Sequence, residues 1–216
     1  MIEKPYDFET DWIYKLEKEA HWRAYWQQQK IIEGELDKND SILEIGKGTG
    51  FCSNYLKSKG YNIKTIDIDE GKNPDIVGNI VDYEFAEEFD HIIAFEVFEH
   101  IPFRVFKELL PKIKKCVRKS LVVSIPESTI ILMLADIRFP VVKHVRFGIR
   151  LQQRFLPGFL KMKLSKYHHW ELNYKNEYSV NSIKKILDKH DLKITLHIRS
   201  HFNNHNFFVI KDRNSE

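Results

Sequence analysis

The sequence predicts an α/β fold, a seven-stranded, mostly parallel sheet with helices on both faces and a C-terminal antiparallel hairpin. Three observations predict it. From residue 41, short apolar runs alternate with segments of helical periodicity. Runs such as "SILEI" and "SLVVSIP" are nearly continuous in apolar residues, the mark of strands buried on both faces. The last two runs are separated by only a few polar residues, so they can pair as a hairpin.

The elements follow in order. Residues 9–35 predict a helix, because Trp12, Leu16, Ala20 and Tyr14, Trp22, Trp26 recur at helical spacings and no Gly or Pro intervenes before Gly34. Residues 1–40 therefore form an N-terminal helical extension to a domain over 41–216. Ile42–Ile45 is a buried strand, and a helix over 51–59 ends at Gly60. "NIKTIDI" (62–68), "DIVGNI" (75–80) and "FDHIIAFEV" (89–97) are the next three strands, and a helix from about Phe103 to Val117 has Pro102 near its start. "SLVVSIP" (120–126) is the fifth. Residues 127–178 break the rhythm with an aromatic and basic stretch of little strand character. A helix at about 179–190, capped by Ser179 or Asn181, restores it. "LKITLHIRS" and "NFFVIKD" then flank "HFNNHN", where Asn203–Asn204 suits a tight turn.

With 216 residues, 43% hydrophobic and 30% charged, the chain suits one soluble globular domain. Its longest apolar run, Ile130–Ala135, is far short of the roughly 20 residues that span a bilayer. The N-terminus has early acids and no apolar signal core, and Cys52 and Cys116 share no metal-like spacing, so a reduced, cytoplasmic protein is expected. The net charge of +3 is unevenly spread: eight Lys/Arg and no acid lie between Ile137 and Lys166, leaving 26 basic against 31 acidic groups elsewhere.

Gly46, Gly48 and Gly50 interrupt the chain where the first strand meets a helix. Residues without side chains allow a tight turn and close approach of a ligand to the backbone, and the N–H groups that open the helix point to the same place. The order Lys47–Gly48 excludes a nucleotide P-loop, and Phe51 stands where a dinucleotide turn has its third glycine. Glu44, Gly46, Gly48 and Gly50 match E/D-x-G-x-G-x-G in full.

That pattern resembles the first motif of class I, Rossmann-like S-adenosylmethionine-dependent methyltransferases. Asp67, in "TIDIDEG", falls where the family keeps an acid for the ribose hydroxyls, with Ile68 beside it and Asp69 as a second choice. "VGNIVDYEF" resembles the third segment, with Asn79 in place of the usual Asp and Ile80 to pack on the adenine. "FDHIIAFEVFEHIP" resembles the fourth, so Glu96 and Val97 line the methionine end of the cofactor. "LVVSIPE" resembles the fifth strand. The resemblance covers residues 41–126 and implies S-adenosylmethionine as cofactor.

Methyl transfer from a sulfonium is an in-line displacement, and a general base is needed only when the acceptor must lose a proton. The class has no universal catalytic residue. His100 in "EHIP" and His169 in "KYHHWEL" are the candidates; the plainer readings are a helix-start hydrogen bond for His100 and pocket shaping for His168, His169 and Trp170. Glu99 is then a capping acid. His197, His201 and His205 lack an accompanying Cys or carboxylate, so no metal site is expected.

The basic segment reads as part of a lid over 127–178. As a helix over 140–156 it would align Lys143, Arg146, Arg150 and Arg154 on one face. Such a lid could be solvated, could contact an anionic membrane surface through 137–166, or could hold an anionic substrate. "FEVFEH" stands where enzymes that methylate base amino groups carry [DNS]-P-P-[FYW], which disfavours nucleic acid and favours a small-molecule or lipid-like acceptor. A non-catalytic cofactor-binding module and a nicotinamide oxidoreductase are the alternatives of other kinds.

Overall fold

The computed structural model describes residues 18–137, 145–201 and 204–214. Helix α1 (Glu19–Glu35) precedes β1 (Ser41–Ile45), α2 (Phe51–Ser58), β2 (Asn62–Asp67), β3 (Ile76–Val77) and β4 (Phe89–Phe95). Then come α3 (Phe103–Cys116), β5 (Val117–Pro126), β6 (Thr129–Ile137), β7 (Val145–Gln152), α4 (Val180–Asp188), β8 (Leu192–Arg199) and β9 (His205–Asp212). Seven strands form one sheet in the order β3-β2-β1-β4-β5-β9-β8. The first five are parallel, and β9 runs antiparallel to both β5 and β8. The expected sheet and its terminal hairpin are therefore present.

The apolar runs are continuous because both faces are covered. Ile42, Ile93, Val122, Phe207 and Val209 face α1 and α2, against Ala24, Ile31, Ile32 and Leu56. Their sequence neighbours Leu43, Ile92, Val123 and Phe208 face α3 and α4, against Phe106, Leu109, Ile183 and Leu187. Successive side chains on a strand point to opposite faces, so each strand needs apolar residues at both parities. Strand order reverses at β1, which has β2 on one side and β4 on the other. A crevice at the carboxyl ends of these strands follows from that reversal.

Three expectations change. The strand over 75–80 contracts to Ile76–Val77, because Asn79 accepts a hydrogen bond from the Val81 amide at 3.0 Å and turns the chain. The helix expected over 140–156 is not formed by the described part of that stretch, which begins as a strand at Val145. Val145–Gln152 pairs antiparallel with Thr129–Ile137 as a separate two-stranded hairpin, and Lys143 lies outside the described residues. The helix expected from residue 9 is described from Glu19 onward, and residues 9–17 and Asn203 lie outside the description. Ser179 is the α4 cap, accepting from the Ser182 amide.

Candidate functional site

The glycines at the end of β1 adopt left-handed backbone, with φ of +77° at Gly46, +56° at Gly48 and +75° at Gly50. L-residues with side chains pay for that conformation, so three glycines in alternation are a backbone requirement. Gly46 has a second reason. A Cβ there would sit 2.5 Å from Val97 Cγ2. The turn thus lies against the end of β4.

A cavity of about 460 Å³ opens at this point. Glu44, Gly46, Gly48, Asp67, Ile68, Asn79, Ile80, Glu96, Val97 and His100 all line it. The segments that carry the motif therefore meet in space. Gly50 lies behind the wall, as the left-handed residue before α2. Asp67, buried at the tip of β2, accepts from the Gly48 amide at 3.3 Å and from the Asp69 amide at 2.9 Å, and Lys72 Nζ lies 3.3 Å from both its oxygens. The carboxylate is held in place by backbone and one lysine. Asn79 is at the wall, but its side-chain oxygen already serves the turn at Val81. Glu44 lies beneath the glycines, and burial pushes its carboxyl up to about 7, against hydrogen bonds from Ser53 and Cys52.

Beyond β4 the wall becomes ionisable. Glu96 is a non-glycine residue at φ +56°, a strained conformation of the kind that clusters at functional sites. The Ser124 hydroxyl clamps it, accepting from its amide at 3.0 Å and donating to its carboxylate at 2.6 Å. Glu99 is fully buried. Burial and the like charges of Glu96 and Glu171 hold its carboxyl well above the usual range. Burial also pushes His100 down to about 4, although its Nδ1 hydrogen-bonds the Tyr167 carbonyl at 3.0 Å. His100 is thus neutral at pH 7 and a weak base.

Trp170 fixes the other side. It is fully buried, donates from Nε1 to the carbonyls of Phe98 at 3.0 Å and Ile101 at 3.2 Å, and packs on Phe103 and Phe106. This anchor ties the insertion to the β4–α3 connection. It places His168 in the cavity wall and leaves His169 exposed, outside the lining, with its amide bonded to the Glu99 carbonyl at 2.8 Å. The candidate named from the sequence, His169, thus stands outside the cavity lining, and its neighbour His168 stands in it. His197 hydrogen-bonds Asn206 at 2.8 Å and stacks on Phe208, while His205 lies at the wall with Nε2 3.6 Å from Glu96.

The sequence reading missed the contribution of α1. His21, Ala24, Tyr25 and Gln28 close one side of the cavity, and Tyr25 stacks on Phe51 with ring centroids 4.4 Å apart. No motif marks these residues. The one signal was the helical period itself, with Phe51 standing where a glycine would leave no ring to stack on.

A family model described as "Methyltransferase domain" matches residues 20–197. The chain belongs to this family. The match begins inside α1 and ends inside β8, so it takes in the cavity and the insertion. Among curated proteins, an uncharacterized methyltransferase of Staphylococcus carnosus is 36% identical over 69 residues, 28% of this chain and 33% of that protein. The chain thus aligns with about a third of that relative's length.

Solved structures share the fold of this methyltransferase domain. An S-adenosylmethionine-dependent methyltransferase from Clostridium acetobutylicum aligns at TM-score 0.55 and 11% identity, over 92% of this chain and 94% of that one. Magnesium protoporphyrin IX methyltransferase from Synechocystis, with bound S-adenosylmethionine, aligns at 0.57 and 13%, over 95% and 86%. The 1,6-didemethyltoxoflavin-N1-methyltransferase of Burkholderia thailandensis aligns at 0.57 and 10%, over 88% and 79%. No helix among the described residues is long and apolar enough to cross a membrane.

Proposed function

We propose that the protein transfers a methyl group from S-adenosylmethionine to a small-molecule or lipid-like acceptor. The observation that carries the reading is the left-handed glycine turn facing the Asp67 carboxylate across one cavity. Gly46 cannot hold a Cβ because Val97 packs against it, so the turn is pressed onto the segment after β4 at the edge of the cavity. A carboxylate at the tip of the next strand accepts both hydroxyl protons of a ribose. Ile68 and Ile80 offer apolar surface for a purine, and Asn79 lies beside them. Glu96 and Val97 line the side nearest the glycines and suit the methionine portion. Magnesium protoporphyrin IX methyltransferase, which shares the fold, is solved with bound S-adenosylmethionine.

The bound cofactor supplies an electrophilic methyl on a positively charged sulfur. The chain's task is to align the acceptor with it and to keep water out. His168, on the segment that Trp170 anchors, and α1 close two sides of the cavity, and Glu96 and His168 face the space left for the acceptor. Neutral His100 can orient a hydroxyl or amine but takes little of its proton at pH 7. His169 stands outside the lining, with its amide bonded to the Glu99 carbonyl.

Calorimetry with S-adenosylhomocysteine tests the reading. Binding is expected, with NAD failing to compete. Asp67→Asn should weaken it by about 1–3 kcal/mol, roughly 5- to 150-fold, through lost charge-assisted hydrogen bonds. Equal affinity in the variant, or a preference for NAD, would remove the ribose assignment.

Support for the acceptor's class comes from the insertion, beside the names of two enzymes of the same fold that specify a porphyrin and a toxoflavin precursor. In β7, Val145, Phe147, Ile149 and Leu151 alternate with Arg146, Gly148, Arg150 and Gln152, and the four apolar side chains are exposed. Met133, in register with Ile149, shares that face, Leu134 lies over Gly148 on the other, and Leu132, Phe155, Phe159 and Leu160 are exposed as well. An apolar sheet face edged by cations suits an anionic lipid surface, from which a lipid-like acceptor could enter.

A further inference from the structure

Glu99 is the side chain for which the protein provides least. It has no exposure, and neither carboxylate oxygen has a hydrogen-bond partner among the described residues. Burial without a partner disfavours the charged carboxylate, and a cation bound beside it would supply the partner that favours it. Neighbouring cations do not fill the gap. Lys72 is engaged with Asp67, and His100 Nε2 lies 3.9 Å from Glu99 Oε1, beyond hydrogen-bond range.

Two imidazoles stand beside it with their tautomers set. His100 Nδ1 is 3.0 Å from the Tyr167 carbonyl, which can only accept, so that nitrogen carries the proton and Nε2 has the lone pair. His168 Nδ1 is 2.7 Å from Glu171 Oε1, which leaves its Nε2 in the same state. Metal-bound histidines are oriented in this way, with the second ring nitrogen donating to a carbonyl or carboxylate. One ligand atom from each of Glu99, His100 and His168 lies within 4.8 Å of the others. An ion between them reaches bond lengths of about 2.0–2.2 Å once side-chain rotation draws the atoms in by roughly 1 Å.

We propose that Glu99, His100 and His168 bind a divalent zinc-like cation, whose open positions face the cavity and hold an oxygen of the methyl acceptor. The ion site stands on its own geometry; its use in catalysis rests on the methyltransferase reading. The sequence reading expected no metal site; it weighed His197, His201 and His205 as ligands and did not consider Glu99, His100 and His168 in that role, so the proposal departs from it. Two imidazoles and one carboxylate with room for further ligands is a donor set of catalytic zinc and related ions. A hydroxyl bound to such an ion has a lowered pKa. Its proton leaves to solvent, the oxygen pair forms the bond to the methyl carbon, and the carbon–sulfur pair stays on sulfur. The acceptor class is therefore an alcohol or phenol able to reach the ion.

The test uses the full chain stripped with a chelator, then titrated with Zn²⁺, Co²⁺ and Mg²⁺. One Zn²⁺ or Co²⁺ per chain is expected, with visible Co²⁺ bands of histidine coordination and weaker Mg²⁺ binding. Glu99→Gln and His168→Gln should each weaken Co²⁺ by more than about 10-fold, while His190→Ala, outside the cavity lining, should not. Thermal melts and S-adenosylhomocysteine binding show that each variant is folded. No stoichiometric ion up to millimolar concentration, variants that bind Co²⁺ like the parent, or tighter Mg²⁺ would each overturn the proposal. If stripped protein binds S-adenosylhomocysteine but no cation, the ion site alone fails; if it binds cation but no S-adenosylhomocysteine, the cofactor reading alone fails.

Discussion

Gly46 and Glu44, two residues apart, show what a single position can and cannot reveal. Gly46→Ala adds a Cβ 2.5 Å from Val97 Cγ2 at a φ of +77°. The backbone term alone is about 1–2 kcal/mol, and the clash adds to it. A melting temperature lower by several degrees is expected, with loss of S-adenosylhomocysteine binding. Gly34, exposed near the end of α1 with no atom within 4 Å of a Cβ, is the contrast, and Gly34→Ala should stabilise by about 0.5–1 kcal/mol. If both variants melt alike, the strain at Gly46 is not real. Glu44 gives a pH signature. Its carboxyl titrates at about 7 in the fold against 4.5 when free. It binds its proton more tightly when folded, so the protein loses stability as pH rises from about 4.5 to about 7 and is flat above. The loss is about 3 kcal/mol at most. Urea unfolding across this range should therefore show Glu44→Gln more stable than the parent at pH 8 and equal at pH 4. Parallel curves would mean that Glu44 is ionised in the fold. The glycines were legible in the sequence because backbone geometry alone demands them. The raised carboxyl was not, since it depends on Cys52 and Ser53 of α2 packing against it.

At the scale of elements, the error over 140–156 has a definite cause. "VRFGIRLQ" alternates apolar and polar at every position, the signature of a strand, yet its arginines also fall four apart, as on a helix. A partner strand decides between the periods, and that partner, Thr129–Ile137, lies across a connection that the sequence does not mark. The base of the hairpin is fastened by a buried cluster the sequence also concealed. Glu127 accepts from Arg199 at 2.6 and 2.7 Å, from Asn173 at 2.7 Å and from Asn206 at 3.1 Å, so one carboxylate joins β5, the insertion and the β8–β9 hairpin. Gln153 seconds it, donating to Ser128 and accepting from the Met162 amide. Arg199→Met strands a buried carboxylate. The expected cost is about 3 kcal/mol, the low end for a broken buried pair, because Asn173 and Asn206 still donate. Denaturant unfolding measures it, and a loss under about 1 kcal/mol would show that the asparagines alone satisfy Glu127.

For the whole molecule, the mostly parallel sheet with its terminal hairpin was legible, because parallel strands need crossovers and the chain supplies a helix between β1 and β2 and between β4 and β5. The two-sided character of the surface was legible only as a number. Eight cations without an acid between Ile137 and Lys166 set a basic zone against a chain that is otherwise net acidic. The structure adds that this zone shares its surface with exposed apolar side chains, Phe159 being 86% exposed. Each component makes its own prediction. Attraction to anionic lipid is worth about 1 kcal/mol per cation near the surface and fades over a Debye length, so it should fall steeply with salt. Apolar insertion is not screened. Co-sedimentation with vesicles containing a third anionic lipid should therefore pellet the protein at low salt, leave a smaller bound fraction at high salt, and show little binding to neutral vesicles. Lys163→Glu with Lys166→Glu should abolish most of the low-salt binding, and Phe159→Ser should remove the salt-resistant remainder. Arg150 is the wrong residue to change, because it donates to the carbonyls of Ser200 and His201 and holds the hairpin to the sheet. If the protein stays in the supernatant with anionic vesicles at every salt concentration, the membrane reading fails. A dimer that Phe159→Ser dissociates in sedimentation velocity would then assign the apolar face to a second copy of the chain.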